Sequence, residues 1–242
     1  MNYHWNWRIF AQQVQGGSET YADWLLAGLG WTLACALCAW LIALVLGTLA
    51  GVLRTTRSRL LAGAGATWVE LFRNVPLLVQ MFLWFFVVPE LLPRELSLWV
   101  KQDMPAKEFV TATLCLGLFT SARIAEQVRA GIQALPRGQR EAAQALGLTT
   151  LQCYRHVLLP RALRIVIPPL TSEFMNTFKN SSVAFAIGLM ELTFQARQMQ
   201  EDSEQGIETY LAVTLLYFLC AFIANRAMAL IEARTRVPGT LG

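Results

Sequence analysis

Residues 141–160 read EAAQALGLTTLQCYRHVLLP, a polar helical insert, Glu141 to Pro160, between two apolar stretches. Upstream, Leu135-Pro136-Arg137-Gly138 breaks the preceding helix, because proline removes a donor and restricts the residue before it. Good helix formers follow from Gln139 to Leu146, and Ala142, Ala145 and Leu146 at i, i+3, i+4 make a small apolar face. Gly147 is a natural left-handed stop, and Thr149 with Gln152 three positions on has the spacing of a capping box. A second short helix therefore starts near Thr149 and is expected to end at Leu158-Leu159-Pro160. The product is a low helix-turn-helix knob edged by Arg137, Arg140, Glu141 and Arg155, a shape that suits a groove on another protein.

Composition says what surrounds the knob. The chain has 242 residues, 55% of them hydrophobic and 15% charged, with a mean hydropathy of +0.42. Soluble domains carry about 45–50% apolar and about 25% charged residues, so the pattern is that of an integral membrane protein, and apolar runs of about 20 residues make the expected class all-α. The net charge of +4 does not mark a nucleic-acid binder, because the basic residues sit beside the ends of apolar runs rather than in one stripe. Cys35, Cys38, Cys115, Cys153 and Cys220 lie mostly in apolar runs without CxxC pairing, with only His4 and His156 as histidine partners, and read as small hydrophobes rather than metal ligands.

Residues 1–23 are polar with Trp5, Trp7 and Phe10 interleaved, which suits a membrane surface with the rings at headgroup depth. Five spans are expected, at about 24–53, 60–88, 109–128, 165–190 and 210–230, each long enough for the roughly 20 residues a crossing needs. Span one contains Gly47 and Gly51 in GxxxG spacing, which permits close helix contact. Two loops, one with Glu90, Arg94, Glu95, Lys101, Asp103, Lys107 and Glu108, the other with Glu191, Glu201, Asp202, Glu204 and Glu208, return the chain to water. Arg54, Arg57 and Arg59, then Arg129, Arg137, Arg140, Arg155, Arg161 and Arg164, then Arg234 and Arg236 fall in alternate loops. Positive residues mark the inner side, so the amino terminus is outside, and the insert, with its loop at about 135–164, and the tail at 235–242 are cytoplasmic.

Ionisable residues at membrane depth are costly unless paired or wetted, and so mark function. In the fourth span Glu173, Asn176 and Lys179 or Asn180 recur at i, i+3, i+6 or i+7 along one face, with Ser181 and Ser182 next to Lys179. This face reads as a polar substrate track in which Lys179 and Asn176 meet a carboxylate. The competing reading is an ion pair of Glu173 with Lys179 or with Arg123 of the third span. Glu70 and Arg73, three apart near the inner end of the second span, read as a structural or gating pair.

The order Glu141-Ala142-Ala143, three residues, Gly147, then a hydrophobic run closing in Leu159-Pro160 resembles the cytoplasmic EAA loop of bacterial ABC importer permeases. The stretches VELFRNVPLLVQ, LGLFTSARIAEQVRAGIQALPRGQ and PPLTSEFMNTFKNSSVAFAIGL are similar to the polar amino acid branch of that family, and RNVPLLVQ, PELLP and FKNSS to its glutamate/aspartate group. Asn74-Val75 stands where many branch members carry Gly-Thr, and Asn180-Ser181 where they carry Asp-Thr or Asp-Ser. The resemblance implies the type I importer fold over residues 24–234 in the bacterial inner membrane. It implies a second permease subunit, identical or paralogous, a periplasmic amino acid-binding protein, and ATPase subunits that grip the loop. ATP and Mg would belong to that ATPase, with no cofactor or metal on this chain, which lacks the G-x-x-x-x-G-K-[ST] loop. Two rivals remain: an ion-driven amino acid carrier, disfavoured by odd spans and absence of a visible repeat, and a membrane enzyme using Glu141 and His156.

Overall fold

The computed structural model describes residues 3–14 and 16–235; Met1, Asn2, Gln15, Arg236 and the rest of the expected tail lie outside them. Among the described residues eleven α-helices follow one another: α1 (Tyr21–Leu53), α2 (Arg59–Arg73), α3 (Leu77–Phe82), α4 (Val88–Leu91), α5 (Arg94–Leu98), α6 (Lys107–Gln133), α7 (Arg137–Ala145), α8 (Thr150–Cys153), α9 (Leu159–Asn180), α10 (Leu192–Ser203) and α11 (Gly206–Thr235). Tighter 3-10 turns occur at Trp7–Ala11 and Ser181–Ile187, and wider π turns at Leu83–Val87, Trp99–Asp103 and Tyr154–Leu158. Among the described residues the extended pairing is the isolated bridge of Gln13 with Thr20.

Among the described residues three helices, α1, α6 and α11, are long and apolar enough to cross a membrane. The expected second span is not one rod. It stops at Arg73 and restarts at Leu77, and qualifies as a crossing only as the bent pair Arg59–Arg73 with Leu77–Leu91. Pro76 explains the break, since it carries no N–H and holds Val75 out of the helical region. The expected fourth span is helical from Leu159 through Asn180 but too polar to qualify by composition. Both segments expected as loops are largely helical: residues 94–103 form α5 and its π turn, and residues 192–203 form α10.

The chain divides into two compact units. One comprises Met1–Ala39, Pro76–Leu116 and Thr177–Ile223. Its core joins Ile9 and Val14 of the amino-terminal segment to Tyr21 and Leu25 of α1, Leu192, Ala196 and Met199 of α10, and Val213 of α11. Gly28 lets α1 approach α10: a Cβ there would stand 3.0 Å from Leu192 Cα. Within the same unit α3 packs against the Ser181–Ile187 turn.

The other unit comprises Trp40–Val75, Gly117–Asn176 and Ala224–Gly242. Its core is built from Trp40 and Ala43 of α1, Ile124, Val128 and Ile132 of α6, and Ala162, Val166 and Leu170 of α9. The GxxxG spacing is used: a Cβ on Gly47 would lie 2.7 Å from Ser121 O, and one on Gly51 2.7 Å from Ala125 O, both on α6. Gly131 of α6 meets α9 as closely, its hypothetical Cβ 2.5 Å from Val166 Cγ1. Small residues are what allow such backbone approach between helices in lipid. Of the cysteines, Cys35, Cys115 and Cys153 are buried, Cys220 is half-buried and Cys38 is exposed, all as free thiols.

Candidate functional site

The knob at 137–158 is built as its residues demand. Pro136 caps α7, whose backbone stops after Leu146 with Gly147 at φ +80. Leu148 N–H bonds back to Ala143 O at 3.2 Å, a closure that needs the left-handed glycine. Thr149 accepts from Gln152 N–H at 3.3 Å while the Gln152 side chain accepts from Thr149 N–H at 2.9 Å, completing the capping box.

Pro160 does not end the second helix, a correction to the expectation. The π turn Tyr154–Leu158 shifts the hydrogen-bond register, Leu159 N–H reaching Tyr154 O. Pro160 then lies in the first turn of α9, where a missing N–H costs little. The knob is thus continuous with α9 through half-buried Leu159 and exposed Pro160.

Which face of α7 turns outward decides what the knob can do. Ala143 is 4% exposed and packs into the core with Cys153, Tyr154 and Leu158. Glu141, Ala142 and Ala145 are exposed, Leu146 is 82% and Leu151 77% exposed. The i, i+3, i+4 apolar face therefore points away from the chain's own core. Tyr154, which the sequence reading passed over, anchors the knob: its hydroxyl donates to Thr55 O at 2.7 Å, just past the end of α1, and Arg140 lies over its ring at 5.6 Å. His156 and Glu141 are both exposed.

The polar string of α9 separates into two parts. Glu173, its side chain 13% exposed, pairs with Arg123 at 3.5 Å, the interhelical alternative of the sequence reading. Asn176 is half-buried. Lys179 is exposed, and among the described residues no carboxylate lies within ion-pair distance of it. Ser181 and Ser182 donate to Phe178 O at 2.7 Å and Lys179 O at 2.8 Å, so their hydroxyl protons are committed to the backbone.

Glu70 and Arg73 do not pair as expected. Glu70 is exposed, while Arg73 lies 3.5 Å from Glu126 of α6. Glu126 also holds Arg54 at 2.6 Å and Arg129 at 2.9 Å. At 24% side-chain exposure Glu126 is better shielded than exposed Glu70, and a shielded charge attracts more strongly than a wetted one.

Two carboxylates assigned to a solvated loop are in fact fully buried. Glu191 caps α10, accepting from Thr193 N–H and Phe194 N–H at 2.9 Å each and from the Tyr217 hydroxyl at 3.0 Å. Burial pushes its carboxyl above the usual range, against the pull of those donors. Glu208, in the first turn of α11, accepts from Asn6 N–H at 2.7 Å and from the Tyr3 hydroxyl, which it holds above the usual phenol value. Nothing local in the sequence marked either residue.

The sequence profile of the family described as binding-protein-dependent transport system inner membrane component matches residues 39–237. The chain belongs to that family. It is 48% identical over its full length, and 99% of the relative's, to the glutamate/aspartate import permease protein GltJ of Escherichia coli K12. It is 34% identical, over 84% of its length and 89% of the relative's, to the probable glutamine ABC transporter permease protein GlnM of Bacillus subtilis. Among solved structures, an amino acid ABC transporter with histidines superposes at TM-score 0.75 with 28% identity, over 88% of this chain and 95% of that one. The inward-facing MetNI methionine ABC transporter shares the fold at TM-score 0.73 over 91% of this chain and 100% of that one. The chain is therefore an ABC importer permease subunit of the type I fold, a multi-pass membrane protein that works with a separate ATPase chain and other subunits. Catalysis of ATP hydrolysis resides on that other chain.

Proposed function

We propose that this permease carries acidic amino acids, glutamate and aspartate, inward across the bacterial inner membrane, driven through the 137–158 knob by the ATPase. The observation that carries the substrate assignment is Lys179: exposed, without a carboxylate partner among the described residues, on a helix whose Glu173 is already matched to Arg123. A lone ammonium beside half-buried Asn176 favours a carboxylate-bearing solute. The full-length relative at 48% identity, a glutamate/aspartate import permease, supports the same class.

In this reading α9 is a fifth crossing whose polar string faces protein or water rather than lipid, the amino terminus is periplasmic and the carboxyl terminus cytoplasmic. A periplasmic binding protein delivers solute, and a second permease subunit completes the pathway. ATP and Mg act on the partner, where closure would move Glu141–Pro160 as a rigid knob; exposed Ala142, Ala145, Leu146 and Leu151 supply its contact, and Gly147 sets its bend. Uptake of labelled glutamate by vesicles bearing the whole transporter tests the substrate site. Lys179→Ala is expected to lose about tenfold or more of uptake at an unchanged protein level, the loss of one charge-assisted contact. Uptake equal to wild type would remove Lys179 from the pathway.

A further inference from the structure

The amino-terminal segment carries a feature that the proposed import scheme leaves unassigned. Tyr3, Trp5, Trp7 and Phe10 form a ladder of rings: Tyr3 meets Trp5 edge-on at 5.2 Å, Trp5 stacks on Trp7 at 5.8 Å with planes 6° apart, and Trp7 leans on Phe10 at 6.4 Å. Trp5 and Trp7 are 57% and 53% exposed, although each indole would gain by burial. The segment is fixed. Ile9 and Val14 are buried in the core with α10 and α11, and Glu208 grips Asn6 N–H and the Tyr3 hydroxyl.

That grip determines where the ladder stands. Glu208 lies in the first turn of α11, a helix long and apolar enough to cross the membrane, which exposes Leu211, Leu215, Phe218 and Phe222 along its length. Lipid against that surface would put the first turn of α11, just ahead of Leu211, near the edge of the hydrocarbon. Rings tied to that turn lie at headgroup depth, where indoles are favoured because one end is apolar and the other wet. Between Tyr3 and Val14 the ionisable groups besides Tyr3 are His4 and Arg8, both exposed; Glu208, the carboxylate that touches the ladder end, is buried and taken up by Asn6 N–H and the Tyr3 hydroxyl, while Glu201 and Asp202 of α10 lie at the far, Val14 end.

We propose that the Trp5–Trp7 ladder is a docking surface for the phospholipid headgroup region, with Arg8 matched to lipid phosphate, and that Glu208 clamps it at the end of α11. The ladder then sets the depth of α11 in the bilayer.

The test uses the complete transporter in lipid nanodiscs containing phosphatidylglycerol, with spin-labelled lipids that quench either near the headgroup or near the bilayer centre. The chain has eight tryptophans, so the Trp5 and Trp7 signal is read as the difference between wild type and Trp5→Phe/Trp7→Phe. That difference emission is expected to be quenched at least about twofold more by the shallow label than by the deep one. Glu208→Ala, which releases the clamp, is expected to abolish the preference while transport-competent complex still assembles. If the double variant fails to assemble, Trp5→Phe and Trp7→Phe singly provide the same difference. Difference emission that neither lipid label quenches and aqueous iodide does would overturn the proposal. So would emission shielded only when the periplasmic binding protein is added, which would make the ladder a protein-docking surface.

Discussion

Replacing Leu146 by Asp tests the knob most selectively, because Leu146 is 82% exposed and belongs to none of the described core clusters. Exposed positions of this kind change fold stability by about 0.5 kcal/mol or less. Covering a leucine side chain with a partner is worth about 1.5–3 kcal/mol, and the aspartate would in addition carry a desolvated charge into the contact. The expected loss of ATPase docking is therefore at least about 10–100-fold, since 1.4 kcal/mol is tenfold. Ala143→Leu is the opposite control: at 4% exposure it overpacks the core beside Cys153 and Tyr154 and should lower the melting temperature of the permease itself. The assay is binding of the purified ATPase to permease in detergent, run beside a thermal melt of each variant. Leu146→Asp binding within about threefold of wild type, at unchanged melting temperature, would show that the exposed face is not the ATPase contact.

Three further outcomes follow from the packing. Gly131→Leu forces side-chain atoms into Val166 and should destabilise by at least about 1–3 kcal/mol, read as a lower melting temperature, whereas the same change at Gly30, where a Cβ meets nothing within 4 Å, should not. Glu126→Gln leaves Arg54, Arg73 and Arg129 without their shared charge; it should cost about 2–3 kcal/mol and make thermal stability less sensitive to salt. Glu191 has its pKa raised in the folded state, so folding takes up a proton there; its share of stability is greatest below that interval and is lost as pH rises through it. Glu191→Gln should flatten that slope, measured by hydrogen exchange of α10 across pH.

Much of the knob was legible because its signals are local. Thr149 and Gln152 are three residues apart, Gly147 ends α7 by its own backbone freedom, and Gly47 and Gly51 are one helical turn apart; each adopts the predicted state. The spacing of Ala142, Ala145 and Leu146 identified a face but not its direction, which depends on Ala143 packing against Tyr154. Pro160 misled because a π turn moves the hydrogen-bond register ahead of it, a choice imposed by the core at Tyr154 and Leu158. Arg73 found Glu126 rather than the nearby Glu70 because burial outweighs proximity in sequence.

The buried carboxylates were hidden by distance along the chain. Glu191 meets Thr32, 159 positions away, and Glu208 meets Tyr3, 205 positions away, so a stretch rich in acids read as solvated. The count of crossings was obscured for a different reason: α9 puts Glu173, Asn176 and Lys179 on a helix whose composition alone does not distinguish a pathway wall from a surface helix.

The most direct measurement of the central claim is uptake of labelled glutamate into proteoliposomes holding this chain with its ATPase, partner permease and binding protein, with ATP supplied or withheld and the ion gradient collapsed by ionophore. Uptake is expected to require ATP, survive the ionophore, be competed by aspartate and be lost in Leu146→Asp. Uptake that persists without ATP and vanishes with the ionophore would contradict it.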